Sequence, residues 1–220
     1  MGILGEKLIQ FKRYFFPVVV FQNSTQYWRD RYKIGRDSGS GSYNFLARFK
    51  ADIINNFVEK EAILSVAEYG CGDGNQLQYF KFHDYVGYDV SSVVIDKCKS
   101  KFANDSAKRF FLLSEHLEIK KVDLTLSLDV IYHLVEDEIF ETYMAILFDS
   151  SRKFVIIYSS NFESNYLHGS HERPRIFTRW VEKNRPEFKL QEFIPNKYAY
   201  DKGKKSTTSQ ADFFIYKLTS

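Results

Sequence analysis

The run Leu64-Ser-Val-Ala-Glu-Tyr-Gly-Cys-Gly-Asp-Gly-Asn75 and the later stretch Tyr88-Asp89-Val90-Ser91 carry the residues of this chain best suited to chemistry. In the first, a short apolar segment ends in an acid, Glu68, and enters a turn with Gly70, Gly72 and Gly74. In the second, another apolar segment ends in Asp89, followed by Val90. Glycine lets the backbone turn sharply and approach a ligand closely. An acid at the tip of a neighbouring strand can accept both hydroxyls of a ribose. Together they lay out a nucleoside-cofactor site at the carboxyl ends of parallel strands.

Charge narrows the choice of cofactor. Pyrophosphate cofactors favour a turn that welcomes two negative charges at a helix N-terminus. Here Glu68 and Asp73 put carboxylates in and beside the turn. They disfavour a diphosphate and suit a ligand carrying an ammonium and a sulfonium, as S-adenosylmethionine does. The glycine spacing also differs from G-x-G-x-x-G, and no G-K-[ST] follows to cradle phosphates. Cys71, inside the turn, reads as a small buried filler, with no basic neighbour in sequence to make it a thiolate.

The segment Glu68-x-Gly70-x-Gly72-x-Gly74 resembles motif I of class I S-adenosylmethionine-dependent methyltransferases, and the short N-terminal arm with Tyr27-Trp28-x-x-Arg31-Tyr32 and the Ser-Gly-rich loop after it resembles small-molecule and glycan types encoded in bacterial surface-polysaccharide gene clusters. Asp89 matches the acid after their second strand. Ser127-Leu-Asp129-Val-Ile-Tyr-His133-Leu-Val-Glu-Asp137 resembles the segment after their fourth, and the likeness spans roughly residues 60–160. The resemblance implies that the three glycines meet the methionine part and Asp89 the ribose, and that Ser114 and Glu115 meet adenine. Asp129 would wall the methionine pocket. The arm Tyr27-Trp28-Arg29-Asp30-Arg31-Tyr32 resembles an N-terminal lid, with Tyr27, Arg31 or Tyr32 toward the cofactor's carboxylate. The implied fold is Rossmann-like α/β, a mostly parallel seven-stranded sheet of order 3-2-1-4-5-7-6 with helices on both faces.

Methyl transfer is an in-line displacement, so the protein's main task is to align the partners and exclude water. A base is needed when the acceptor loses a proton, as a sugar hydroxyl does. His133, just beyond strand four, is the candidate base, with packing against the cofactor as the alternative. Tyr158 and Asn161 follow strand five and offer polar groups to a substrate. His168, His171, Arg173 and Arg175 form a polar loop able to grip phosphate, carboxylate or sugar, or simply to face solvent. Two histidines without a third ligand of telling spacing give no case for a metal.

The elements that must position these groups follow from the pattern of apolar residues. Residues 45–60 show helical apolar spacing, and helices are also expected over 91–102, 136–148 and 175–184, with one beginning at 75–80. Strands are expected at 63–69, 84–89, 109–113, 122–128, 154–158, 188–194 and 212–218, the last two as an antiparallel pair. Residues 3–13 read as a short amphipathic helix and 24–44 as ending in a flexible polar loop. The organisation expected is an arm and lid over 1–44 and one domain over 45–220.

At 220 residues, 44% hydrophobic, the chain can bury a full α/β core. Its 31 basic and 28 acidic residues give a formal charge of +3, too mild to argue for nucleic acid. The Pro-rich stretch that holds a flipped base is absent after strand four. These features favour a small-molecule or glycan substrate, with no nucleic acid partner and no membrane span, a weak membrane-surface or partner contact of the N-terminal arm being the minority reading. Two cysteines fit a reducing, cytoplasmic setting. A non-catalytic binding or scaffold module and a nicotinamide-dependent oxidoreductase remain as the alternatives.

Overall fold

The computed structural model describes residues 19–115, 120–164, 170–204 and 207–219. The helix expected over residues 3–13 lies outside them. The sheet has seven strands in the order β3-β2-β1-β4-β5-β7-β6, the order implied by the resemblance. They are β1 (Ser65–Tyr69), β2 (Asp84–Asp89), β3 (Lys108–Leu112), β4 (Val122–Leu128), β5 (Ser151–Ser159), β6 (Phe188–Ile194) and β7 (Asp212–Leu218). The first five are parallel, whereas β7 pairs antiparallel with both β5 and β6. The helices are α1 (Ser24–Lys33), α2 (Asn44–Lys60), α3 (Ser92–Lys101), α4 (Asp137–Asp149) and α5 (Phe177–Asn184).

Side chains alternate across a strand, so a sheet covered on both faces builds two cores. Along β5, Phe154, Ile156 and Tyr158 join Ala51, Ile54, Phe57 and Val58 of α2. Val155 and Ile157 face the other way, toward Phe140, Met144 and Leu147 of α4 and Phe177 and Val181 of α5. Burying one such side chain contributes roughly 1.5–3 kcal/mol.

Two expectations need correction. The helix expected to begin at 75–80 is a single 3₁₀ turn, Gln76–Tyr79. Phe80 and Phe82 are both buried, with ring centroids 5.0 Å apart, and two residues of separation on one face is a strand-like spacing that a helix cannot satisfy. The second correction concerns residues 24–44. Ser24–Lys33 is helical, capped by Asn23, whose side chain accepts from the Gln26 amide. The remainder is fastened to the glycine turn: the Ser38 amide and the Tyr43 hydroxyl donate to Asp73 at 3.1 and 2.6 Å. The Asn75 amide side chain donates to the Ser42 carbonyl at 2.8 Å. Among the described residues no helix is long and apolar enough to cross a membrane.

Candidate active site

The strand order reverses direction between β1 and β4, the position where open α/β sheets form a ligand crevice beyond their carboxyl ends. A cavity of about 420 Å³ lies there. Its walls include Gly70, Cys71, Gly72, Asp89 and Val90 on one side, and Asp129, Val130, His133 and Leu134 on the other. Ser24, Thr25, Trp28, Tyr32, Ser38 and Ser42 line it from the N-terminal arm, and Leu113, Ile139, Thr142 and Tyr143 complete it.

The glycine turn begins where β1 ends. Tyr69 pairs with Tyr88, so Gly70 and Asp89 emerge side by side. Gly70 has φ +83°, and a Cβ there would sit 2.5 Å from the Val130 side chain, which excludes any larger residue. Gly72 has φ +55°, and its amide donates to Asp89 Oδ2 at 3.0 Å. The Ser91 amide donates to Asp89 Oδ1, also at 3.0 Å. With the Val90 amide as a third backbone donor, the carboxylate still keeps acceptor capacity. Burial pushes the Asp89 carboxyl up to about 6 against these backbone donors. The carboxylate is held in place without being saturated, a state suited to receiving a ribose hydroxyl.

Glu68 and Asp73 do not line this cavity, which moves the charge argument to other residues. Glu68 is fully buried; it accepts from the Tyr85 hydroxyl at 2.7 Å and the Gln76 side chain at 2.9 Å. Burial raises its carboxyl to about 7. Asp73 is engaged by Ser38, Tyr43 and Asn75. Both acids brace the turn from outside. The carboxylates that face the cavity away from solvent are the buried Asp89 and the half-buried Asp129.

Asp129 ends β4 with φ +61°, a left-handed backbone that Asp tolerates better than most residues and that gathers at functional sites. Its Oδ2 accepts from Lys50 Nζ at 2.6 Å and its Oδ1 from the Tyr132 hydroxyl at 3.0 Å. Lys50 is completely buried and comes from α2, far away in sequence. The sequence carried a signal that went unused: Lys50 lies four residues from both Leu46 and Ile54, on the apolar stripe of its helix. A charge on such a stripe requires a buried partner.

His133 sits in an aromatic cluster, 4.8 Å from the Trp28 ring edge-on and 4.4 Å from Tyr132. Its Nδ1 lies 3.1 Å from the His171 carbonyl. A carbonyl only accepts, so Nδ1 carries the proton and Nε2 the lone pair. Burial lowers the imidazole to about 4, which keeps it neutral. His171 stacks on Tyr27 at 4.4 Å. His133, His171 and Glu172 bring ligand-type atoms within 4.8 Å of one another. Of the two loop histidines singled out in the sequence, His171 belongs to this group, which His133 just beyond the end of β4 and Glu172 complete.

The other expected site residues lie as follows. Tyr32 lines the cavity, its hydroxyl 3.1 Å from Ser38 Oγ. Tyr27 is buried against His171 rather than on the cavity wall. Arg31 donates to the Asp37 carbonyl at 2.8 Å. Gly74 backs onto Cys98. Ser114 is exposed in the 3₁₀ turn Leu113–Glu115, and the neighbouring Leu113 forms the wall. Tyr158 is in the core, accepting from Asn196 at 2.7 Å. Asn161 hydrogen-bonds Thr178 at 3.1 Å. Arg173 and Arg175 grip the carbonyls of Leu134 and Val135 and the carboxylate of Asp137. They fasten their loop to the β4 turn instead of facing the cavity, and His171 stacks behind the cavity-lining His133 with ring centroids 5.5 Å apart. His168 lies outside the described residues.

Comparisons with known proteins agree with this geometry. Residues 67–145 match the family described as "Methyltransferase domain", a span that runs from β1 through most of α4. No curated protein matches the chain in sequence. Magnesium protoporphyrin IX methyltransferase from Synechocystis PCC 6803, solved with bound SAH, superposes with a TM-score of 0.58 at 14% identity, covering 97% of this chain and 100% of that one. An S-adenosylmethionine-dependent methyltransferase from Clostridium acetobutylicum gives 0.56 at 12%, covering 99% and 100%. The methyltransferase domain of bacterial CtHen1 gives 0.57 at 18%, covering 79% and 98%. These likenesses show a shared Rossmann-like fold. The family match and the shared fold support an S-adenosylmethionine-dependent methyltransferase.

Proposed function

We infer that the chain moves the methyl group of S-adenosylmethionine to an oxygen of a small polar acceptor, a sugar or glycan precursor. One observation carries this reading: a single cavity runs from Asp89 and the glycine turn to His133. Asp89 has acceptor capacity left for a ribose, and Val90 and Leu113 offer an apolar bed for a base. Gly70 and Gly72 keep the floor low beside Asp129, whose carboxylate is matched by Lys50. Trp28, Tyr32 and Ser38 close the cavity from the arm and limit the entry of water.

The bound cofactor supplies a methyl carbon made electrophilic by its sulfonium. An oxygen acceptor differs from an amine in the proton it must lose as the new bond forms. His133 lines the cavity and keeps its Nε2 unprotonated, the group suited to activating such an oxygen. That feature favours an oxygen over a nitrogen acceptor. The mild formal charge of +3 supports a small acceptor over a nucleic acid.

Calorimetric titration with S-adenosylhomocysteine tests the cofactor half, with one site per chain expected. Mass spectrometry of sugar nucleotides incubated with protein and cofactor tests the acceptor half, the expected product being heavier by one methylene. An absence of any binding would sink the whole reading. Binding accompanied by methylation of RNA or protein alone would overturn the choice of acceptor.

A further inference from the structure

We propose that His133, His171 and Glu172 hold a divalent transition-metal ion at the mouth of the cavity, where it binds and activates the acceptor oxygen. Two imidazole nitrogens and one carboxylate form a donor set typical of zinc, iron and cobalt sites that keep coordination positions open for a substrate. The three ligand-type atoms lie within 4.8 Å of one another. Around a bound ion, donors sit roughly 3.4 Å apart, as bonds of about 2.1 Å in tetrahedral geometry require. Glu172 is exposed and His171 only partly buried, so the remaining gap is closed by the two donors best placed to move.

Two further features prepare the site. The His133 Nδ1–H donates to the His171 carbonyl, which leaves Nε2 as the ligand and fixes the ring. Metal-bound histidines almost always carry such a partner on their second nitrogen. The loop bearing His171 and Glu172 is also pinned to the turn bearing His133. The Arg173 amide donates to the Tyr132 carbonyl at 2.7 Å, and the Arg173 and Arg175 side chains hold the Val135 carbonyl at 2.9 and 2.7 Å. Donors from two separate segments are therefore brought together by the backbone before any ion arrives.

The assignment deepens the methyl-transfer reading and rests on it for its role; with Nε2 engaged by the ion, His133 activates the acceptor through the metal rather than as a free base. An acceptor hydroxyl bound to the ion is acidified and releases its proton to solvent. The resulting oxygen attacks the methyl carbon, the carbon–sulfur bond breaks with its electron pair moving to sulfur, and neutral S-adenosylhomocysteine leaves. An acceptor with two neighbouring oxygens, such as a vicinal diol of a sugar, would chelate the ion and be selected over an isolated alcohol.

The test uses untagged full-length protein stripped with a chelator, then titrated with Co²⁺ by visible absorption and with Zn²⁺ by calorimetry. One equivalent should bind, and His171→Ala and Glu172→Gln should each weaken it by roughly tenfold or more. Titration of the same samples with S-adenosylhomocysteine should be unchanged in both variants, which also establishes that they fold. The absence of saturable one-equivalent uptake by the unaltered protein, or equal uptake by both variants, would overturn the metal site. Loss of S-adenosylhomocysteine binding by the unaltered protein would instead strike the methyltransferase reading, with the metal titration judged on its own.

Discussion

The two halves of the cavity are built in opposite ways. The half around Asp89 comes from one short stretch of chain: β1, the glycine turn and β2 follow one another, and backbone amides of Gly72 and Ser91 do the positioning. The half around His133 is assembled from α1, the β4 turn and the loop at 171–175, joined by side-chain bonds across long gaps in sequence. Ser24 illustrates this: its hydroxyl donates to Glu136 at 2.6 Å and accepts from the Val135 amide at 2.9 Å. A cofactor common to many enzymes can be served by a compact local device. An acceptor particular to one enzyme is served by parts that vary independently of the sheet.

Lys50 gives the largest test of that contrast, because it ties α2 to the floor between the halves. Lys50→Met leaves Asp129 without its ion-pair partner and should cost about 3–5 kcal/mol of stability, read by chemical denaturation. A loss below about 1 kcal/mol would mean that the pair is dispensable. His133→Ala should lower kcat about 10²–10³-fold and shift S-adenosylhomocysteine affinity only a few-fold. Equal losses in both would show that the halves are not separable. Asp89→Asn should do the reverse, weakening S-adenosylhomocysteine roughly 30- to 100-fold in a calorimeter by removing charge-assisted bonds to the ribose.

The smallest effect is a pH dependence. Asp89 sits near 6 in the free protein, and ribose hydroxyls favour its charged form. Binding therefore releases a proton below that value: affinity should be flat above about pH 7 and decline as pH falls through 6, by up to tenfold per unit. Asp89→Asn should flatten the profile. The sign is opposite for folding. Asp89 and Glu68 have folded values near 6 and 7, above their ordinary 3.8 and 4.5. The folded chain thus holds more protons than the unfolded chain between about pH 4 and 7, and stability should fall across that window as pH rises, then level off. Thermal melts at several pH values would read it.

The same contrast explains what could be read from the sequence. The strands, the glycine turn and Asp89 were legible because their signals are local and periodic, apolar runs that end in acids and glycines, whereas the strand order came only from the family resemblance. The 3₁₀ turn after Asn75 was missed because Phe80 and Phe82 obey a tertiary demand for burial. Arg173 and Arg175 were read as gripping a ligand or facing solvent because sequence shows a charge but not its partner, and the partners here are carbonyls of a distant turn. Glu68 was given a charge that its burial opposes. His171 was singled out, but its pairing with His133 depends on a fold that brings two loops together.

The arm touches both halves at once. Ser38 is bonded to Asp73 beside the glycine turn, while Ser24 holds the opposite rim through Glu136 and Val135. A roof anchored on two walls cannot open over one without disturbing the other. Exchange of the spent nucleoside for a fresh one should thus require the arm to swing away, making departure of product a natural bottleneck of turnover and imposing an order in which the nucleoside enters before the acceptor.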